Sequence, residues 1–307
     1  MKRSSSAIAT ESAACEVRGL SLLIVGLCGQ SVFLTVPHFH RPEETLHADS
    51  FFCEPGGKGY NQAVAAARMG AKVVFVGAVG HDADGEMCAL RLKEEGIEPC
   101  MFKKDTRTAY AAILTDVQGE NRVTVFSGAQ MTAEDVRALA PQFQAAQMVL
   151  LTPEIPQDAF AQAVVLAKAS GAKIVINPAP FFPWVREYLE DAWLLTPNRS
   201  EACAMLECDE AALEERIKKS PYPRMIVTLG KDGAVCCENG RVTPIPAPKA
   251  NVVDTTGAGD CLNGALCALL LEGMPLNEAA PKAVCAASLS VGHAHVLDGM
   301  PKRKEIR

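Results

Sequence analysis

The chain has 307 residues, 49% of them hydrophobic and 21% charged, with a formal net charge of −6. That size and apolar content suit one large α/β domain or two smaller ones, with core enough to fold without staples. The acidic balance, with no basic stripe, argues against nucleic acid as a partner, and no apolar run approaches the roughly 18 residues of a membrane span.

Residues 1–18 are rich in Ser and Ala, carry Lys2 and Arg3, and lack the apolar centre of a signal peptide. They read as a frayed extension to a domain over 19–307. Short apolar runs at 20–26, 72–79, 148–151, 173–176, 193–196 and 225–229 predict buried strands. Helical spacing at 61–69, 85–95, 156–170 and 199–206 falls between them, and two helices, 259–272 and 276–292, close the chain. Such alternation predicts a three-layer α/β/α domain with a mainly parallel central sheet.

Two segments interrupt this rhythm. Residues 108–115 and 121–126 alternate around Asp116-Val117-Gln118-Gly119-Glu120 and predict a β-hairpin. Residues 33–35 and 50–53 flank a turn-rich stretch holding His38, His40 and His47. Inserted at about 31–54 and 107–127, these strands can pair into a small sheet outside the main one, a lid over a ligand or an inert flap. The three histidines have no Cys or carboxylate at ligand spacing, so a solvated or packing role is the better account. The twelve cysteines form no Cys-x-x-Cys pair, and several (Cys203, Cys236, Cys237, Cys261, Cys267, Cys285) sit in apolar runs. Free thiols in a reducing cytosol explain them better than disulfides or zinc.

The first chemical motif is Gly56-Gly57-Lys58-Gly59-Tyr60-Asn61-Gln62, opening a helix. Its glycines permit close backbone approach, and Lys58 and Asn61 add donors suited to sugar hydroxyls. It matches neither a dinucleotide fingerprint nor a Walker A loop. The second is Asp254-Thr255-Thr256-Gly257-Ala258-Gly259-Asp260, also at a helix start. Backbone N–H groups of residues 257–259, with the helix dipole behind them, make a cradle for phosphate. Asp260 beside that cradle is placed as a base for an alcohol facing a phosphoryl group. The same heptapeptide also reads as a tight turn followed by a first-turn acid.

Together with Arg41-Pro42-Glu43-Glu44-Thr45, Gly119-Glu120-Asn121, Asn177-Pro178-Ala179-Pro180, Thr196-Pro197-Asn198-Arg199-Ser200-Glu201 and Thr228-Leu229-Gly230-Lys231-Asp232-Gly233, these motifs resemble the ribokinase family of carbohydrate kinases, the PfkB superfamily. The resemblance runs from Leu20 to Pro301. It implies an ATP-dependent kinase of a small sugar, with Asp260 as catalytic base and Gly257, Ala258 and Gly259 as anion hole. Gly29, Ser31, Gly56, Gly57, Lys58, Tyr60, Asn61 and Glu154 are implied on the sugar side. Asn198, Thr228, Gly230, Lys231, Gly233 and Gly259 are implied on the nucleotide side. Glu201 would organise Mg2+, largely through water, and Asp254, Thr256, Ser290 and His293 a monovalent cation, K+.

The chain departs from the family pattern in three places. The Asn-x-Asp that clamps ribose hydroxyls reads Gly29-Gln30-Ser31, and Tyr60 replaces a small residue, adding an aromatic surface near the sugar. The usual basic, Gly-containing cation loop reads His293-Ala294-His295-Val296-Leu297-Asp298-Gly299-Met300. A nucleoside kinase of the same superfamily is the alternative reading, and a non-catalytic sugar-binding protein a remote one. Lid strands with apolar residues (Phe33, Phe51, Tyr110, Ile113, Val125) predict a homodimer that packs lid on lid.

Overall fold

Strand β1 (Leu22–Val25) reads Leu-Leu-Ile-Val, with no polar residue on either face, as a parallel strand covered on both sides requires. The computed structural model describes residues 22–306, so the expected extension at 1–18 and the start of the strand expected at 20–26 lie outside the described residues. After β1 come β2 (Gly29–Val36), β3 (Ser50–Gly56), α1 (Lys58–Arg68), β4 (Val73–Gly80), α2 (Ala83–Glu94), β5 (Glu98–Lys104), β6 (Ala109–Asp116) and β7 (Asn121–Phe126). Then follow α3 (Ala133–Arg137), α4 (Ala140–Ala145), β8 (Met148–Leu151), α5 (Gln157–Ser170), β9 (Lys173–Ile176), β10 (Leu194–Leu195), α6 (Arg199–Leu206) and α7 (Leu213–Lys218). The chain ends with β11 (Arg224–Thr228), β12 (Ala234–Glu238), β13 (Arg241–Ile245), α8 (Ala258–Leu271) and α9 (Leu276–Ser290).

The main sheet has the order β13-β12-β11-β10-β9-β8-β1-β4-β5. From β11 to β5 all pairings are parallel, and β12 and β13 add an antiparallel edge. Successive residues of β1 serve opposite cores. Leu22 and Ile24 pack with Val64 of α1, Leu266 of α8 and Ala283 of α9. Leu23 and Val25 pack with Phe143, Phe160 and Ala202 on the other side. This is the expected three-layer arrangement.

Three strands escape the sequence reading. β5 (Glu-Pro-Cys-Met-Phe-Lys-Lys) is half-buried at an edge, so charge and proline hide it. β12 and β13 are joined by Asn239 and Gly240, with φ of 51° and 79°, the two-residue turn that matches strand twist. That Asn-Gly signal stands in the sequence. The strand expected at 193–196 shrinks to two residues, while α6 spans the expected 199–206.

The two interruptions join into a second sheet of order β3-β2-β6-β7. Its central pair, β2 and β6, is parallel, with Gly29 opposite Ala109 and Ser31 opposite Ala111. Cross-strand partners share a face, so Ser31, Ala111 and Val125 stand on one side. Tyr110, Phe126 and Phe51 stand on the other. Of the apolar lid residues expected at the surface, Phe51, Tyr110 and Val125 are exposed, but Phe33 and Ile113 are buried. Phe33 packs near Phe52 and His295 instead.

Candidate active site

Parallel strands all finish on one side of a sheet, and the loops beyond those ends converge there. Here they line a cavity of about 330 Å3, with Leu27 after β1, Glu154 after β8, Asn177 after β9, Thr196 and Asn198 after β10, and Thr228 at the end of β11. Gly29, Ser31, Ala111, Val123 and Val125 of the second sheet flank it, so the lid covers one wall.

Asp260 lies at the base of this cavity, in the first turn of α8. Its placement depends on how closely α8 approaches α1. A Cβ on Gly264, one turn further, would meet the Gln62 carbonyl at 2.4 Å, so only glycine fits the crossing. The approach lets two α1 amides reach the carboxylate: Asn61 Nδ2 donates to Oδ2 and Gln62 Nε2 to Oδ1, each at 3.0 Å. Gln62 Nε2 also donates to Asn177 Oδ1 at 3.0 Å, and Asn177 Nδ2 to the Thr196 carbonyl at 2.8 Å. Thr196 in turn donates to Asn263, whose Nδ2 returns to the Gly259 carbonyl at 2.8 Å. Burial pushes the Asp260 carboxyl up to about 7, Lys58 and the two amides opposing and Glu154 adding to the rise.

The helix begins one residue before the expected 259, capped by Gly257 at φ 78°. Gly257 and Gly259 face the cavity beside Asp260. The Ala258 N–H departs from the expected cradle and donates to the Thr255 carbonyl at 3.3 Å. Ala258 lines a second cavity of about 780 Å3, together with Gly230, Lys231, Gly233 and the apolar Ala247, Val252, Leu262 and Val284. The two cavities share Thr228 and Gly259 in their linings, so they lie side by side.

Lys58 is the first residue of α1, earlier than the helix start expected at 61. Its backbone N–H donates to Glu154 Oε2 at 2.7 Å and its Nζ to Oε1 at 2.9 Å, which leaves further ammonium N–H groups at the cavity. Lys58 is thus anchored by Glu154 at the cavity wall. Burial disfavours its charge, but Glu154, Asp260 and Glu201 outweigh that and raise its pKa. Asn61 keeps a free acceptor, since its buried Oδ1 finds no partner among the described residues.

Asn198 and Glu201 form a reciprocal cap on α6. The Asn198 side chain accepts from the Glu201 N–H at 2.9 Å, and Glu201 Oε2 from the Asn198 N–H at 2.8 Å. Both line the cavity, and burial raises the Glu201 carboxyl against the cap bond and Lys58. An oxygen-lined wall holding a carboxylate that burial disfavours fits a hard cation with water in its shell.

The segments suggested for a monovalent cation do meet, the Asp254 N–H donating to the Val291 carbonyl at 3.2 Å. Ser290 Oγ donates to its own helix at Ala287, Asp254 Oδ1 accepts from the Thr256 N–H, and His293 is exposed. Tyr60 is a correction. Its hydroxyl donates to the Cys88 carbonyl at 3.0 Å and its ring meets the edge of Phe75 in the core, so it offers no surface to the cavity. At position three of α1, its side chain faces the sheet. His38 pairs with Glu44 at 2.9 Å.

A family model described as pfkB family carbohydrate kinase matches residues 20–303. The chain belongs to this family. It is 34% identical to the ribokinase of Bacillus subtilis (strain 168) over 93% of this chain and 98% of that one. A ribokinase structure from Giardia lamblia superposes with a TM-score of 0.85 at 26% identity, covering 93% of this chain and 98% of the other. A ribokinase of Arabidopsis thaliana complexed with ribose and ATP gives 0.83 at 26% identity, covering 94% and 97%.

For this carbohydrate kinase, sequence reasoning left Gln62, Asn177, Thr196 and Asn263 without roles. The signal was available, as Gln62 and Asn263 are polar residues on otherwise apolar helix faces, and all four are buried. Buried polar groups are normally paired, and these pair around Asp260, except Gln62 Oε1, which has no partner among the described residues.

Proposed function

We propose that this kinase moves the γ-phosphoryl of ATP to a hydroxymethyl hydroxyl of a small ribose-like sugar, with Asp260 as general base. One observation carries the reading: a buried carboxylate with its pKa pushed up to about 7 stands beside a glycine-capped helix N-terminus, where the two cavities adjoin. A base works best when its pKa lies near the working pH. Gly257 and Gly259 offer backbone donors to the charge that develops on the transferred group, with the α8 dipole behind them. Asn61 Oδ1, Glu154, Ser31 and the backbone at Gly29, Gly56 and Gly57 face the acceptor sugar. Lys58 holds Glu154 in place and keeps three neighbouring carboxylates from repelling the phosphates.

The larger cavity suits a nucleotide, with apolar walls for a base and Thr228, Gly230, Lys231 and Gly233 at the phosphate end. Asn198 and Glu201 would hold Mg2+, largely through water, and the ion would neutralise charge on the phosphates. A potassium ion near Asp254 and Thr256 would rest on backbone carbonyls. We place the enzyme in a reducing cytosol, supported by the buried free thiols Cys236, Cys237, Cys261 and Cys267. Among the described residues no helix is long and apolar enough to cross a membrane. The exposed apolar residues Phe51 and Phe126 support a homodimer formed through the lid. The nucleoside-kinase reading loses one of its supports with Tyr60 in the core.

The test is a coupled ADP-release assay over D-ribose, 2-deoxyribose, other small sugars and nucleosides. Turnover of a sugar above every nucleoside is the expected result, and turnover of nucleosides alone overturns the reading. Ser31 supplies one hydroxyl where a carboxylate could clamp two, so ribose and deoxyribose should differ little. Ser31→Asp should raise ribose turnover selectively.

A further inference from the structure

The loop of residues 293–300 touches both the lid and the start of α8, and a lid carboxylate holds it. Glu54 lies on β3 opposite Ser31, so the two side chains share a lid face. It is buried, and its two oxygens accept separate backbone N–H groups, Oε1 from Val296 at 2.8 Å and Oε2 from Leu297 at 3.1 Å. Also on β3, Phe52 stacks on His295 with ring centroids 3.7 Å apart and planes 13° from parallel. Phe33 of β2 closes on the same imidazole at 5.2 Å. His295 has φ 65°, in the left-handed region that costs a bulky residue energy. That bend lays its ring on the lid while the next two N–H groups turn to Glu54. From the α1 side, Arg68 donates to the Leu297 carbonyl and, at 2.9 Å, to that of Met300.

Val296 is the far end of this linkage. Its side chain lies against Gly257, where an added Cβ would come within 2.3 Å of Val296 Cγ1. Glu54 therefore reaches the N-terminal cap of α8 through one residue. Burial raises its carboxyl, opposed by the two N–H bonds, and a carboxylate is costly to bury for packing alone.

We propose that Glu54 is a positioning residue that couples the lid to the anion-binding end of α8. The lid sets the backbone at Val296 and Leu297, and Val296 sets Gly257. The inference rests on the reading above, in which the lid meets the sugar and α8 meets the phosphates. Sugar under the lid then strengthens nucleotide binding, and reciprocity makes nucleotide strengthen sugar binding by the same factor.

The experiment measures binding of the non-hydrolysable β,γ-imido analogue of ATP by calorimetry, with and without D-ribose, alongside steady-state kinetics. Wild type, Glu54→Gln and Glu54→Ala are compared, with folding checked by thermal melting. Wild type should bind the analogue at least about fivefold more tightly with sugar present. Glu54→Ala should bring that factor to about one and lower kcat roughly tenfold, leaving affinity for the analogue alone within about twofold. Glu54→Gln retains one acceptor and should fall between them, and it carries the test alone if Glu54→Ala does not fold. A sugar-dependent factor that survives in the variants overturns the proposal, as does its absence from wild type. A lower melting temperature with unchanged coupling and kcat gives Glu54 a structural role only, and overturns it too. A wild type that phosphorylates sugars while Glu54 variants match it leaves the kinase reading intact, so the two failures are distinct.

Discussion

Gln62 and Asp260 meet across two helices, the amide Nε2 donating to the carboxylate Oδ1 at 3.0 Å while holding Asn177 at the same distance. The Asp260 carboxylate is thus held by donors from α1. Its orientation is a property of the α1–α8 crossing.

Replacing Gln62 by Met should show this in a pH profile. The Gln62 bond favours ionised Asp260, so its loss should move the acid limb of kcat/KM above about pH 7 and reduce the rate at neutrality. Asn177 loses a partner as well, costing about 1–3 kcal/mol in denaturant unfolding. An acid limb unchanged from wild type would show that Gln62 does not tune the base.

Asp260→Asn should lose activity by at least about 10²-fold while keeping its fold. Stability should move the other way. The folded-state pKa of about 7 lies above the ordinary 3.8, so between those values the folded chain holds a proton the unfolded chain has released. This group's contribution falls as pH rises through that window and is fully lost above about 7. Asparagine carries no such penalty. The variant should exceed wild type near pH 8 by up to roughly 4 kcal/mol and match it near pH 3, as urea titrations at the two pH values would reveal.

Gly264→Ala tests the crossing itself. Its methyl would press on the Gln62 carbonyl and on Ala65 Cβ, which are backbone and packed atoms with nowhere to move. Destabilisation of about 1–3 kcal/mol should accompany a fall in kcat, because Asp260 moves away from its amide donors. Full activity in a stable variant would mean that the helices separate without consequence.

Phe51→Glu combined with Phe126→Glu addresses assembly. Both residues are more than half exposed, on the lid face opposite Ser31. Charges there should convert a dimer to a monomer in light scattering at micromolar concentration. An unaltered mass would place the interface elsewhere.

Much of this architecture was legible because parallel strands buried on both faces leave continuous apolar runs, as in Leu22–Val25 and Met148–Leu151. The edge strand β5 was hidden because it faces solvent in part and carries charge, and β12–β13 because the Asn239–Gly240 turn was passed over. Asp260 after its glycines stands out by local spacing, and Asn198 with Glu201 through the family resemblance, and all three line the cavity. Gln62, Asn263 and Glu54 do not stand out in either way, since each meets a partner 67 to 243 positions away. Tyr60 was misplaced for the same reason: its neighbour in sequence lines the cavity, but a helix turns successive side chains 100° apart.

The residues expected to do chemistry stand on one support, and one wall of the cavity stands on another. Asp260, Gly257, Asn198 and Glu201 are rooted in the α/β/α body, whereas Ser31, Ala111, Val123 and Val125 belong to the four-stranded sheet. Substitution at Ser31, Ala111, Val123 or Val125 alters that wall without touching Asp260 or its donors Asn61 and Gln62. Selectivity is therefore free to drift at these four positions, whereas Glu54 of the same sheet is tied to the loop beside Gly257.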